Sequence, residues 1–147
     1  MAYEIYERNL YSSGVVFAGI SGMGLILSQL LAKELKSISN LAVEEVEIVL
    51  DKSDIAHSKV ELSQSVVLSG KTLIVVDDVL NTGRTIVYAI KPFLEEDIDK
   101  MELAVLVNRA HGLFPIRPDY TGYELSTTLN EHIKVDLSEE NYFVHLH

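Results

Sequence analysis

Two adjacent acids, Asp77 and Asp78, end a short apolar run, Thr72-Leu73-Ile74-Val75-Val76, and lead into Val79-Leu80-Asn81-Thr82-Gly83-Arg84-Thr85. The run of Leu, Ile and Val predicts a buried strand, and Thr85 through Phe93 predicts a helix. The segment between them therefore lies at a strand's carboxyl end, where open α/β sheets collect ligands. Successive backbone N–H groups at a helix N-terminus offer partial positive charge to a phosphate. Gly83 lets the backbone approach closely, and Thr82 and Thr85 bring hydroxyl donors. The acids suit another group, because a carboxylate beside a phosphate repels it. Asp77 and Asp78 are fit to accept hydrogen bonds from sugar hydroxyls, or to hold Mg²⁺ directly or through water. Helix capping would explain one acid and leave Thr82-Gly83-Arg84-Thr85 without a purpose.

The elements that must position this segment follow along the chain. Ala2 to Leu10 predicts a short amphipathic helix, and Val15-Val16-Phe17-Ala18-Gly19-Ile20 a buried strand. A loop, Ser21-Gly22-Met23-Gly24, leads into a helix over Leu25 to Lys36, with Leu27, Leu30, Leu31 and Leu35 at helical spacing. Val43 to Leu50 predicts the next strand, Asp51 to Gln64 is polar and irregular, and Ser65 to Gly70 is hairpin-like. Met101 to Asn108 supplies a further apolar strand after the motif helix. The order β-α-β, then β-α-β, predicts an α/β fold with a mainly parallel sheet and helices on both faces.

Composition bounds the function. The 147 residues, 48% hydrophobic, predict one domain over 1–147 with a sizeable core, and no apolar run is long enough to span a membrane. No internal repeat or linker rich in Pro, Gly or Ser interrupts it. Met1 to Asn9 carries acids and tyrosines where a secretory signal would be basic and then apolar. Cysteine is absent, which excludes disulfides, thiolate metal sites and a cysteine nucleophile and fits a cytoplasmic location. A net charge of -10 disfavours sequence-independent nucleic-acid binding.

The hydrophobic strand, paired acids and Thr-Gly-x-Thr loop together resemble the phosphoribosyl pyrophosphate (PRPP) motif of type I phosphoribosyltransferases. Leu103 to His111, Pro115 to Gly122, Tyr6-Glu7-Arg8-Asn9 and Val46 to Leu50 are similar to the family of bifunctional pyrimidine-operon attenuation proteins and uracil phosphoribosyltransferases. That similarity runs to about Leu137; the family has more helix ahead of this start, and a different tail from Ser138-Glu139-Glu140-Asn141.

The resemblance implies a type I phosphoribosyltransferase fold with a small hood, PRPP as donor, Mg²⁺, a nucleobase acceptor (uracil in that family) or a nucleotide monophosphate, and a homodimer. It puts the ribose hydroxyls on Asp77 and Asp78. The 5′-phosphate falls on Val79, Leu80, Asn81, Thr82, Gly83, Arg84 and Thr85, pyrophosphate on Ser21, Gly22, Met23 and Gly24, and the base near Val107, Asn108 and Arg109. Arg109 has a plain alternative, a surface arginine paired with an acid.

Three departures from the family pattern bear on catalysis. Ser21-Gly22-Met23-Gly24 stands where the family has a Lys-Thr-Arg-Gly type of sequence, so both cations are missing and backbone amides remain. Losing such a cation costs about 2 to 4 kcal/mol in the transition state. The segment from about Ser53 to Gly70 is short for a lid that shuts out water. Asn108 replaces an acid, and an amide cannot act as a base. A PRPP- or nucleotide-binding regulatory module without turnover is therefore the alternative. An RNA attenuator is third, since Gly112 follows His111 where the family tends to carry arginine and only Arg109, Arg117 and Lys134 supply charge nearby. His111 reads better as a loop histidine bonded to a backbone carbonyl, and His145 and His147 read equally as a frayed end with no metal role. A receiver domain also pairs acids at strand ends but does not need Thr82 to Thr85.

Overall fold

The structure, a computed structural model, describes residues 1–126, 131–138 and 142–147. The tail residues Glu139, Glu140 and Asn141 lie outside them. Among the described residues a six-stranded sheet has the order β3-β2-β1-β4-β5-β6. Its strands are β1 (Gly14–Ile20), β2 (Ala42–Val49), β3 (Glu61–Leu62), β4 (Thr72–Leu80), β5 (Lys100–Asn108) and β6 (Tyr120–Glu124), with only β3 antiparallel.

β1 and β4 lie at the centre and are buried on both faces, as near-continuous Val, Ile and Leu require in a parallel sheet covered by helices. Val15, Phe17, Ile74 and Val76 pack on one side against Leu27, Leu31 and Leu35 of α2 (Met23–Ile38). Val16, Ala18, Leu73 and Val75 pack on the other with Ile86 and Phe93. Each of the Val, Leu, Ile and Phe side chains contributes about 1.5 to 3 kcal/mol by leaving water. The mainly parallel sheet flanked by helices is thus as expected.

Four local expectations need correction. The motif helix does not run to Phe93: α3 (Arg84–Ala89) stops, and a 3₁₀ turn follows over Lys91–Glu95. Pro92 is the reason, since it lacks an N–H and its ring crowds the carbonyl one turn earlier. The first helix, α1 (Ala2–Arg8), stops short of Leu10. Residues 65–70 form no hairpin; Gly70 instead turns the chain with φ +72 and accepts bonds from Ser13. Finally, α2 already begins at Met23, so two of the four supposed loop residues are helical. β6 and a two-stranded ribbon of β7 (Ile133–Asp136) and β8 (Phe143–Leu146) were not foreseen.

The Tyr6 to Asn9 and Asp119-Tyr120 stretches meet at the amino ends of the strands, opposite the ligand-type loops. The Asn9 amide donates to Glu102 (3.0 Å) and to the Ile5 carbonyl (2.9 Å), and the Tyr120 hydroxyl donates to Glu102 (2.7 Å). Lys100 pairs with the same carboxylate at 2.8 Å, and the Arg8 guanidinium lies 5.1 Å from the centre of the Tyr120 ring. Burial acts to raise the Glu102 pKa, but donors from Lys100, Asn9 and Tyr120 carry it below its ordinary value. These motif residues tie α1 to β5 and β6.

Candidate active site

Three segments leave the carboxyl ends of neighbouring strands together: residues 21–22 after β1, 81–83 after β4, and 109 onward after β5. Register fixes their heights. Gly19 stands opposite Val76, Asp77 opposite Val105, and Leu80 opposite Asn108.

The loop after β4 is built for close approach. Gly83 takes φ +85, and a Cβ there would stand 3.0 Å from Ile116 Cβ, so both backbone and space demand glycine. The Arg84 amide donates to Thr82 Oγ1 (3.2 Å), and the Leu113 and Phe114 amides donate to the Thr82 carbonyl (3.0 and 3.1 Å). The segment after β5 therefore braces the phosphate-type loop from above. Arg84 stacks on Tyr88 of its own helix, 5.8 Å from the ring centre. Val79 packs against one core and Leu80 lies in the other.

The two acids are not equivalent. Asp77 is 4% exposed, and Asp78 is half-buried. Asp77 Oδ1 accepts from the Asp78 amide at 3.0 Å and from Lys52 Nζ at 3.4 Å. Burial pushes the Asp77 carboxyl up to about 7; Lys52 opposes that shift and the neighbouring Asp78 adds to it. Among the described residues no group of three or more His, Asp or Glu is arranged to hold a metal. The acids suit Mg²⁺ only in the manner in which that ion sits mostly on substrate oxygens and water, with one or two carboxylates nearby.

The loop after β1 is narrower than its sequence suggested. Gly22 has φ +94 and ψ -135, with open space where a Cβ would be, and no side chain caps α2. Ser21 turns toward β2, its hydroxyl donating to Glu47 (2.9 Å) and the Ile48 carbonyl (3.0 Å). Met23 accepts a bond from the Leu137 amide at its sulfur. Gly24 packs on Asp77: a Cβ there would stand 2.9 Å from Oδ1 and from the Val76 carbonyl. Of these four residues only Gly22 is exposed; Ser21 and Met23 are half-buried and Gly24 is buried.

At the end of β5, Val107 is fully buried in the core. Arg109 is buried as well, and its guanidinium donates to the Glu131 carbonyl at 2.7 Å, which corrects the surface reading of that side chain. Asn108 is half-buried and faces Glu124 of β6. Lys52 and Glu124 were both missed in the sequence. Lys52 lies in an irregular polar stretch without periodicity, and β6 is too short and exposed to give a strand signal.

Residues 1–140 match the phosphoribosyl transferase domain, and with this fold the chain belongs to that family. It is 37% identical over 147 residues to the bifunctional protein PyrR of Brevibacillus brevis, covering 95% of this chain and 82% of the relative. It is 38% identical over 149 residues to PyrR of Latilactobacillus sakei, covering 95% and 83%. Among solved structures, a hypoxanthine phosphoribosyltransferase from Staphylococcus aureus superposes with TM-score 0.68 at 15% identity, over 84% of this chain and 70% of that one. The Trypanosoma cruzi enzyme in complex with IMP gives TM-score 0.68 at 16% identity, over 84% and 67%. At such identities these two likenesses concern the fold. No helix among the described residues is long and apolar enough to cross a membrane.

Proposed function

We propose that the protein transfers a phosphoribosyl group from PRPP to a nucleobase, with uracil as acceptor, and releases pyrophosphate. The observation that carries this reading is that the segments after β1, β4 and β5 leave the same end of neighbouring parallel strands, with Gly24 of the first packed on Asp77 and Leu113 and Phe114 of the third bonded to the Thr82 carbonyl. The Asn81 to Thr85 loop holds the 5′-phosphate through backbone amides and threonine hydroxyls. Asp78, the more accessible acid, accepts from a ribose hydroxyl, and Asp77 fixes its neighbour through the Asp78 amide. The end of β5 takes the base. Oxocarbenium character develops at the anomeric carbon as pyrophosphate departs, so positioning and charge neutralisation do most of the work. Asp78 and Asp77 are the carboxylates that would hold Mg²⁺, directly or through water, and the ion when bound would supply charge neutralisation at the leaving pyrophosphate. Choice of uracil rests on the family resemblance of the sequence.

A second reading, PRPP or nucleotide binding without turnover, is favoured by the β1 loop, where no cation stands and Ser21 is committed to β2. RNA binding is third, with a net charge of -10 against it. A homodimer acting in the cytoplasm completes the proposal. Calorimetric titration with PRPP and Mg²⁺, followed by the same titration of Asp77→Asn/Asp78→Asn, tests the donor site. Affinity in the wild type that is lost in the double variant supports it, and affinity retained in the variant refutes the ribose assignment.

A further inference from the structure

Phosphoribosyl transfer as proposed above needs a group to receive the acceptor's N–H, and Asn108, standing where the resembled family often has an acid, is an amide. We propose that Glu124 supplies this carboxylate from the neighbouring strand and that Asn108 positions it. Glu124 is the register partner of Asn108 in the parallel β5–β6 pair. The Asn108 Nδ2 donates to Glu124 Oε1 at 3.2 Å and Oε2 at 3.1 Å. Its Oδ1 accepts from the Ala110 amide at 3.3 Å, which fixes the amide with its NH₂ toward the carboxylate. Ala110 holds a left-handed φ of 57, rare outside glycine, so the turn that orients Asn108 is a specified one.

Asn108 and Glu124 line one cavity of about 860 Å³ with Leu80 and Asn81, where the phosphate-type loop begins. The acid thus shares one cavity with the start of the loop that would hold the sugar phosphate. Arg117 is the other charged side chain on its wall. A carboxylate has about four acceptor positions, so a bond from Asn108 leaves Glu124 able to accept from a ring N–H.

As the base nitrogen bonds to the anomeric carbon, the carbon–oxygen bond to pyrophosphate breaks, and pyrophosphate leaves with the bonding pair. The N–H proton passes to the Glu124 carboxylate and from there to solvent. General-base assistance of this kind adds roughly 10²- to 10⁴-fold to a rate.

The test is steady-state kinetics of Glu124→Gln, an isosteric change at an exposed position, with melting curves to confirm folding. A fall in kcat of roughly 30-fold or more with KM for PRPP unchanged is expected. Adding Asn108→Asp, which returns an acid to β5, should restore at least about tenfold, an exchange that a surface cross-strand pair would not show. Glu124→Gln within about threefold of wild type, or no recovery in the double variant, overturns the proposal. Uracil affinity of the PRPP-loaded protein is the readout independent of turnover: a roughly tenfold loss in Glu124→Gln is expected, and an unchanged affinity overturns the role of Glu124. A wild type that binds but never turns over refutes the enzymatic reading instead.

Discussion

Gly24 at the start of α2 is packed so closely over Asp77 that an added Cβ would stand 2.9 Å from Oδ1 and 2.9 Å from the Val76 carbonyl. The pyrophosphate-type segment and the acid pair are therefore one mechanical unit. Gly24→Ala must shift backbone or the carboxylate, at a cost of about 1 to 3 kcal/mol. A lower denaturation midpoint together with weaker PRPP binding is expected, and urea melts with parallel calorimetry check both.

Asp77 makes stability depend on pH. Its folded pKa, about 7, is above the ordinary carboxylate value, so between roughly pH 4 and 7 the folded state binds more protons than the unfolded one. The Asp77 contribution to stability is greatest below that window and declines as pH rises through it. Asp77→Asn should flatten the decline and stabilise the protein at pH 8 by about 1 kcal/mol or more, while removing a group from the donor site. Melts at pH 5 and pH 8 for both proteins provide the comparison.

Glu102 behaves in the opposite sense. Its pKa is lowered in the folded state, so its contribution is present above the unfolded value and lost as pH falls through the folded one. Tyr120→Phe leaves the carboxylate with one donor fewer and should cost about 1 to 2 kcal/mol. Lys100→Met uncovers a buried charge and should cost more. PRPP affinity is expected to be unchanged in Tyr120→Phe, because the network lies at the other end of the sheet.

Restoring a cation to the β1 segment has a structural constraint. Gly22 holds φ +94 and ψ -135, which a β-branched residue adopts only with strain. Met23→Arg alone should raise PRPP affinity, whereas Gly22→Thr/Met23→Arg should lose stability and gain less. Binding titrations of the single and double variants decide between these outcomes.

The strand-loop-helix at residues 72–85 was legible because its apolar run and its loop chemistry occur in one contiguous stretch. The central sheet was legible for the same reason: β1 and β4 are buried on both faces and spell that out in Val, Ile and Leu. What could not be read were relationships between distant residues. Lys52 meets Asp77, Asn9 meets Glu102 and Asn108 meets Glu124 only through tertiary folding, and each partner alone is an ordinary polar residue. The end of the motif helix was readable from Pro92, but the apolar spacing through Phe93 hid it. The turn of Ser21 toward β2, where its hydroxyl meets Glu47 and the Ile48 carbonyl, is a tertiary contact that the local sequence does not encode.

Product formation is the most direct test of the central claim: purified protein with PRPP, Mg²⁺ and uracil, then other nucleobases, with nucleotide monophosphate and pyrophosphate both quantified. Equimolar uridylate and pyrophosphate, absent with Asp77→Asn/Asp78→Asn, is the expected result. No nucleotide from any base, with PRPP still bound, would contradict phosphoribosyl transfer and leave a binding module.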